Sequence, residues 1–232
     1  MTEQPDIRPD LRIDHAPQTL RELALDRLRG AIVAGHFRSG ERLVERSLCD
    51  QLGVSRSVVR EVIRYLEAEG LVEIARSGPA VARLDWDQAR QIYDIRQLLE
   101  ASAAADCAAC ADAAVKARLI AALQALETAV ESGTPAHEAT RAFYQVIFAA
   151  SGHDIAWEIV QRLNGRISRL RALTLASGDR HISGPARMAR IAQAIMANDP
   201  PAAAQAVRDH LTEAAEIARR LLQAEQEQER PA

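Results

Sequence analysis

Aromatic residues make up only 3% of this 232-residue chain, and that scarcity limits how its interior can be built. The apolar share is 48%, ample for a core, but Ala, Val, Leu and Ile have to supply it. Cysteines number three, at Cys49, Cys107 and Cys110, which is too few and an odd count for a disulfide framework. No apolar run approaches the roughly 18 residues of a membrane helix. Met1 to Pro17 is polar and charged and does not read as a signal peptide. These absences predict a cytoplasmic protein without membrane contact. Catalytic signatures are missing too: there is no G-x-x-x-x-G-K-[ST], no G-x-G-x-x-G and no H-E-x-x-H. Asp179, His181 and Ser183 alternate within SGDRHISG, but triads assemble from separate elements, so a polar loop accounts for them better. No catalytic residue, cofactor or enzymatic activity is expected.

What the chain does have is concentrated in residues 43 to 75, LVERSLCDQLGVSRSVVREVIRYLEAEGLVEIA. Two short helical patterns flank a Gly-Val-Ser turn, with Leu52-Gly53-Val54 stopping the first and Ser55 placed to cap the second. Arg56, Arg60 and Arg64 recur every four residues and so share one stripe, while Val59, Val62, Ile63 and Leu66 form the opposite, apolar face. Taken alone, such a stripe is as often a solvated face as a binding one. Its surroundings point to binding. A further amphipathic helix spans Leu20 to Ala34, and Gly70 to Ile74 with Ala80 to Leu84 read as two short strands around Arg76-Ser77-Gly78-Pro79. Three helices and a hairpin make a winged helix-turn-helix, which lays its last helix in a DNA major groove. The overall charge of -3 is uneven: residues 19 to 84 hold 11 basic and 9 acidic groups, residues 85 to 232 hold 16 and 19. A weakly positive head implies modest non-specific affinity, which a homodimer on a palindromic operator would strengthen.

These residues, as SGERLVERSLCDQLGVSRSVVREVIRYLEAEGLV, resemble the GntR-type bacterial regulators over about 65 residues. Ser39 departs from the family, which usually has proline before the glycine of that turn; the change is expected to loosen the turn without touching DNA contacts. The resemblance implies that Arg46 contacts the DNA backbone and that Ser55, Arg56, Ser57 and Arg60 enter the major groove. It also implies that Arg76, Ser77 and Gly78 form a wing tip at the minor groove. The chemistry agrees, since arginine offers a bidentate fork to guanine and hydroxyls suit phosphate. Arg64, further along, is expected at phosphate or in solvent.

From Trp86 onward the pattern is helical, with breaks that predict about six helices: 87 to 112, 115 to 132, 137 to 150, 154 to 176, 185 to 197 and 201 to 226. The fold is therefore expected to be mainly α. A disordered arm (1–18) precedes the winged helix-turn-helix (19–84), which is followed by an all-α sensing and dimerisation bundle (85–227) and a tail (228–232). Cys107 and Cys110 form a lone C-x-x-C inside ASAAADCAACADAA, better read as small packing residues than as a redox or zinc pair. Ile95-Arg96-Gln97-Leu98-Leu99-Glu100, Phe143-Tyr144 with Ser151-Gly152, and Met188 to His210 resemble the FCD sensing domain of the FadR-like branch.

Many members of that branch bind a divalent metal with an aspartate and three histidines. Here the four positions read Thr140, Tyr144, Met188 and His210, a set unsuited to zinc, nickel or manganese. The resemblance then implies an effector pocket of Arg96, Thr140, Tyr144, Met188 and His210 for a small organic acid. Arg96 could equally be an ion pair with Glu100 one turn on, and His210 a hydrogen-bonded core residue. The expected function is a ligand-responsive regulator, most simply a repressor. The alternatives are a metal-dependent relative with other ligands, or a helical enzyme or interaction module that leaves the recognition helix idle.

Overall fold

The computed structural model describes residues 19–134, 136–176 and 184–229. The expected N-terminal arm, the Asp179, His181 and Ser183 loop, and residues 230–232 lie outside the described residues.

The N-terminal unit is built on three helices. Thr19 and Glu22 form a capping box that starts α1 (Leu20–Val33), each side chain bonded to the other's backbone N–H. Helix α2 (Glu45–Leu52) ends at Gly53, whose φ of 67° is a left-handed conformation that favours glycine. Ser55 caps α3 (Arg56–Ala68) by accepting from the Val58 N–H at 3.4 Å. The predicted apolar face of α3 is fully engaged: Val59, Val62 and Leu66 are 0% exposed and Ile63 4%. They pack with Leu28 and Ile32 of α1 and Leu48 of α2 into the core of the head.

The wing is shorter than its sequence pattern. Strands β1 (Val72–Ala75) and β2 (Gly78–Val81) pair antiparallel, from Val72 opposite Val81 to Ala75 opposite Gly78. Leu71 falls outside the strand because its N–H closes the end of α3 on the Leu66 carbonyl. Gly78 and Pro79 fall inside β2, leaving a two-residue turn of Arg76 and Ser77. The segment around Arg42 pairs with the free side of β2 through an isolated bridge to Ala80, so the wing has a third edge.

The second unit contains seven helices among the described residues, not six. These are α4 (Trp86–Cys110), α5 (Ala113–Glu131), α6 (His137–Ser151), α7 (Asp154–Arg162), α8 (Asn164–Ala176), α9 (Gly184–Met196) and α10 (Pro200–Glu229). The helix expected over 154 to 176 breaks at Leu163, whose N–H is shared between the carbonyls of Ile159 and Val160. One residue interrupts the ladder, too little to disturb an apolar periodicity. The long helices α4 and α10 run antiparallel, as the bonds Gln97 to Thr212 and Asn198 to Ala108 require. Ala101, Ala104 and Ala108 of α4 and Ala203 and Ala204 of α10 are all buried, and their small size lets the two axes approach closely. Among the few aromatics, Tyr93, Phe143, Tyr144 and Phe148 are core residues, with Phe143 and Tyr144 edge-on at 5.8 Å.

Helix α8 joins the two units. A Cβ on Gly165 would lie 2.6 Å from the Glu69 carbonyl oxygen and 2.8 Å from the Leu71 side chain, so the helix touches the end of α3 only because residue 165 has no side chain. One turn later the Arg169 guanidinium donates to the Ala82 carbonyl and to Ser39 Oγ. Beside this seam Asp26, Arg29, Gly30 and Glu69 of the head face Glu138, Arg141 and Gln161 of the bundle across a cleft of about 590 Å3. Gly165→Ala is expected to cost about 1–3 kcal/mol by forcing backbone apart at a packed contact. Gly30→Ala, inside α1 with nothing within 4 Å, should instead be neutral or stabilising by up to about 1 kcal/mol. Urea melts of the two variants check both signs.

Candidate nucleic-acid interface and sensing core

The residues expected at DNA are placed on the solvent face of α2, the start of α3 and the wing. Arg46 is exposed in the first turn of α2. Ser55, Arg56 and Ser57 surround the N-terminus of α3, where backbone N–H groups point outward and favour an anion. The Ser55 and Ser57 hydroxyls lie 2.8 Å apart. Arg60, one turn into α3, is 63% exposed in its side chain and sets its Nε 3.0 Å from both carboxylate oxygens of Glu45 on α2. That bond raises the guanidinium's pKa further, so Arg60 stays cationic. It also aims the side chain and leaves the outer nitrogens of the fork as further donors. Arg56 and Arg64 are exposed on the same face. Arg76 and Ser77 stand exposed at the wing turn, with Gly78 half-buried behind them at φ 109°. Cationic forks, hydroxyls and helix N–H groups together suit a phosphate backbone and guanine edges.

Sequence comparison decides what carries this surface. Residues 20–81 match the family of bacterial regulatory proteins of gntR type, and residues 91–213 match the FCD domain, which by itself covers more than half of the chain. The chain is a GntR-family regulator with an FCD domain. Similar proteins bear this out at both scales. The HTH-type transcriptional repressor RspR of Escherichia coli is 27% identical over 203 residues, 84% of this chain and 87% of its own. The regulator YdhC of Bacillus subtilis is 28% identical over 202 residues, 85% and 90% of the two chains. The gluconate operon repressor of B. subtilis is 40% identical, but over 73 residues, only 32% of this chain and 30% of its own length. Among solved structures, a transcriptional regulator from Rhodococcus sp. RHA1 matches 85% of this chain and 96% of its own at a TM-score of 0.70 and 24% identity. E. coli McbR/YncC matches 88% and 99% at 0.71 and 22%; both likenesses speak for the fold. This GntR-family chain is a DNA-binding transcriptional regulator, not an enzyme.

The FCD domain of this regulator buries the residues expected to sense an effector. Arg96 is 1% exposed and pairs through Nε with Glu100, itself 0% exposed, at 2.7 Å; Nη2 faces the other carboxylate oxygen at 3.4 Å. The ion pair read as an alternative for Arg96 is therefore present. Burial works against the guanidinium's charge, but Glu100 outweighs it and raises the pKa, with Tyr144 and Tyr93 adding to the effect. Arg96 lies over the Tyr93 ring at 5.6 Å. Thr140, one turn before Tyr144 on α6, donates its hydroxyl to the Ala136 carbonyl at 2.8 Å. Met188 on α9 and His210 on α10 are 2% and 7% exposed. Next to them Arg187 and Glu213 pair between α9 and α10, both nearly buried.

As metal donors, the set does not fit. Thr140, Tyr144, Met188 and His210 offer a hydroxyl already donated to backbone, a phenol, a thioether and one imidazole, short of the convergent nitrogen and carboxylate donors that hold zinc, nickel or manganese. Among the described residues no group of three or more His, Cys, Asp or Glu could hold a metal ion. Cys107 is 0% exposed and burial pushes its thiol up to about 11, as a packing residue would show, while Cys110 is exposed and points its Sγ at the Ala150 carbonyl.

Sequence reasoning missed Glu45, Glu213, Gly165 and Arg169. The first two are acids whose partners lie 15 and 26 residues away, and nothing local marks them. Ser39, noted as a departure from the family, turns out to receive the Arg169 guanidinium. For DNA, Arg56→Ala and Arg60→Ala should each cost about 1–3 kcal/mol on the operator and little on unrelated DNA. Arg46→Ala should weaken both and reduce the salt slope by about one. Anisotropy titrations at several salt concentrations separate the two patterns.

Proposed function

We propose that this regulator is a cytoplasmic homodimeric repressor of a palindromic operator, modulated by a small organic acid that enters the FCD domain at Arg96, Thr140, Tyr144, Met188 and His210 without a metal. The observation that supports the reading is the concentration of polar groups on the inward faces of α4, α6 and α10. Arg96, Glu100, Thr140 and His210 are buried in a bundle whose core is mostly alanine and aliphatic side chains with a few aromatics. Burying such groups costs free energy, and a purely structural core would be served as well by apolar residues. The two ion pairs leave this interior electrically balanced, so an effector carboxylate meets no uncompensated cation. It is held instead by the remaining guanidinium nitrogen of Arg96 and the phenol of Tyr144, with Met188 against its apolar part. Modulation follows if the effector prefers one orientation of the heads.

Arg96→Ala is a poor probe of this pocket, because it strands the Glu100 charge in the core at a cost of about 3–5 kcal/mol. Tyr144→Phe keeps the shape and removes the hydroxyl. With a panel of aliphatic and aromatic monocarboxylic acids, one class is expected to raise Tm, by the equivalent of about 2.7 kcal/mol at a hundred times its Kd. The same class should change operator affinity. Chelator should leave both effects in place and Tyr144→Phe should weaken both. A response that needs added zinc, nickel or manganese would overturn the metal-free reading.

A further inference from the structure

The ion pair between α9 and α10 is balanced in charge but incomplete in hydrogen bonds. Arg187 Nε meets Glu213 Oε2 without the alignment of a hydrogen bond, and Glu213 Oε1 is shut off from solvent with no hydrogen-bond partner among the described residues. A buried carboxylate oxygen without a donor is costly. Glu100, by contrast, has both of its oxygens facing Arg96 nitrogens. The place of Glu213 gives the orphaned oxygen its meaning. Helices α4 and α10 run antiparallel, and the bond from the Gln97 amide to Thr212 Oγ1 puts the neighbouring Arg96 and Glu213 at one level of the bundle. His210 lies about one turn earlier on the same face of α10, and Arg187 directly precedes Met188 on α9.

We infer that the effector is a zwitterion, an acid that carries its own ammonium group, with the ammonium on Glu213 Oε1 and the carboxylate on Arg96 and Tyr144. The inference rests on the effector site proposed above and names the class of ligand it takes. Charge decides the class. Arg96 with Glu100 and Arg187 with Glu213 balance one another, so a lone carboxylate brought among them would add a negative charge with no partner in a low-dielectric interior. An ammonium in the same molecule cancels that charge. It also brings donors to the one carboxylate oxygen of these pairs that has none, and it displaces neither arginine. A hydroxy acid would fill the oxygen without cancelling the charge, and a plain acid would do neither.

Calorimetric titration of the full chain tests the class, with each acid of the panel above set beside its hydroxy and amino counterparts of the same skeleton. Phenylpropanoate, phenyllactate and phenylalanine form one such set, with phenethylamine as the amine that lacks the carboxylate. In the set that binds, the amino acid is expected to bind roughly 10- to 100-fold tighter than the plain acid. Glu213→Gln leaves Arg187 uncompensated, so the preference should turn toward the plain acid, whereas Arg187→Gln should weaken the plain acid further. A merely structural Glu213 would lower Tm without changing which ligand is preferred. If Glu213→Gln does not fold, the double variant with Arg187→Gln restores the balance of charge and should still narrow the preference. A plain acid that binds as tightly as its amino counterpart overturns the zwitterion and leaves the organic-acid site standing. So does a Glu213 variant, single or double, that keeps the full preference. Phenethylamine binding as tightly as phenylalanine, or no binding by any acid in any form, overturns the site as well.

Discussion

Helix α8 reaches the reading head at a point where no side chain stands, and the relation between the two halves of the regulator depends on that contact. Gly165 lets backbone meet backbone at the end of α3, and Arg169 then fastens Ser39 and the Ala82 carbonyl on either side of the wing's base. The Arg83 side chain, from the segment between β2 and α4, closes over Gly40 and reinforces the same corner. Only residues 82–85 connect β2 to α4, and a connection this short, backed by a guanidinium bridge, makes rotation of the head a matter of moving α8. The adjoining cleft of about 590 Å3 shows that the seam is packed on one side and open on the other. A contact of this kind can adopt a second arrangement without unfolding either core.

The proposed sensing core would give α8 a reason to move. The residues expected at the effector sit on α4, α6, α9 and α10, and α8, which buries Ser168 and Thr174, packs against α10 and α6 while touching α1 of the head. Because Arg96 is neutralised by Glu100 and Arg187 by Glu213, the unliganded core is already satisfied electrically. The proposed acid would therefore bind beside these pairs, at the remaining Arg96 nitrogen and the Tyr144 phenol, without breaking either. The energy available to shift the heads is the difference in effector affinity between two packings.

The winged head was legible in the sequence almost residue by residue. Its signals are local: Gly53 at a left-handed turn, Ser55 at a helix start, and a stripe of arginines opposite Val59, Val62, Ile63 and Leu66. The wing was overextended because Leu71 completes a helix end and looks, by composition, like a strand residue. The break at Leu163 was hidden because a change of direction at one residue preserves helical periodicity. Both meanings of Arg96 were readable from its spacing to Glu100, and only the depth of burial shows that the pair forms inside the core. Glu45, Glu213 and Arg169 stayed invisible because their partners are distant in the chain, and a sequence of arginines and glutamates carries no label for which ones meet.

If α8 fixes the heads, the proposed homodimer should measure distance along DNA. The most direct test is affinity for a series of operators whose two half-sites are moved apart or together by one base pair at a time, compared between the intact protein and Arg169→Ala. The account predicts a sharp optimum for the intact protein and a broadened one for the variant, with equal affinity of both for a single half-site. An Arg169→Ala protein that keeps the same sharp optimum would contradict it.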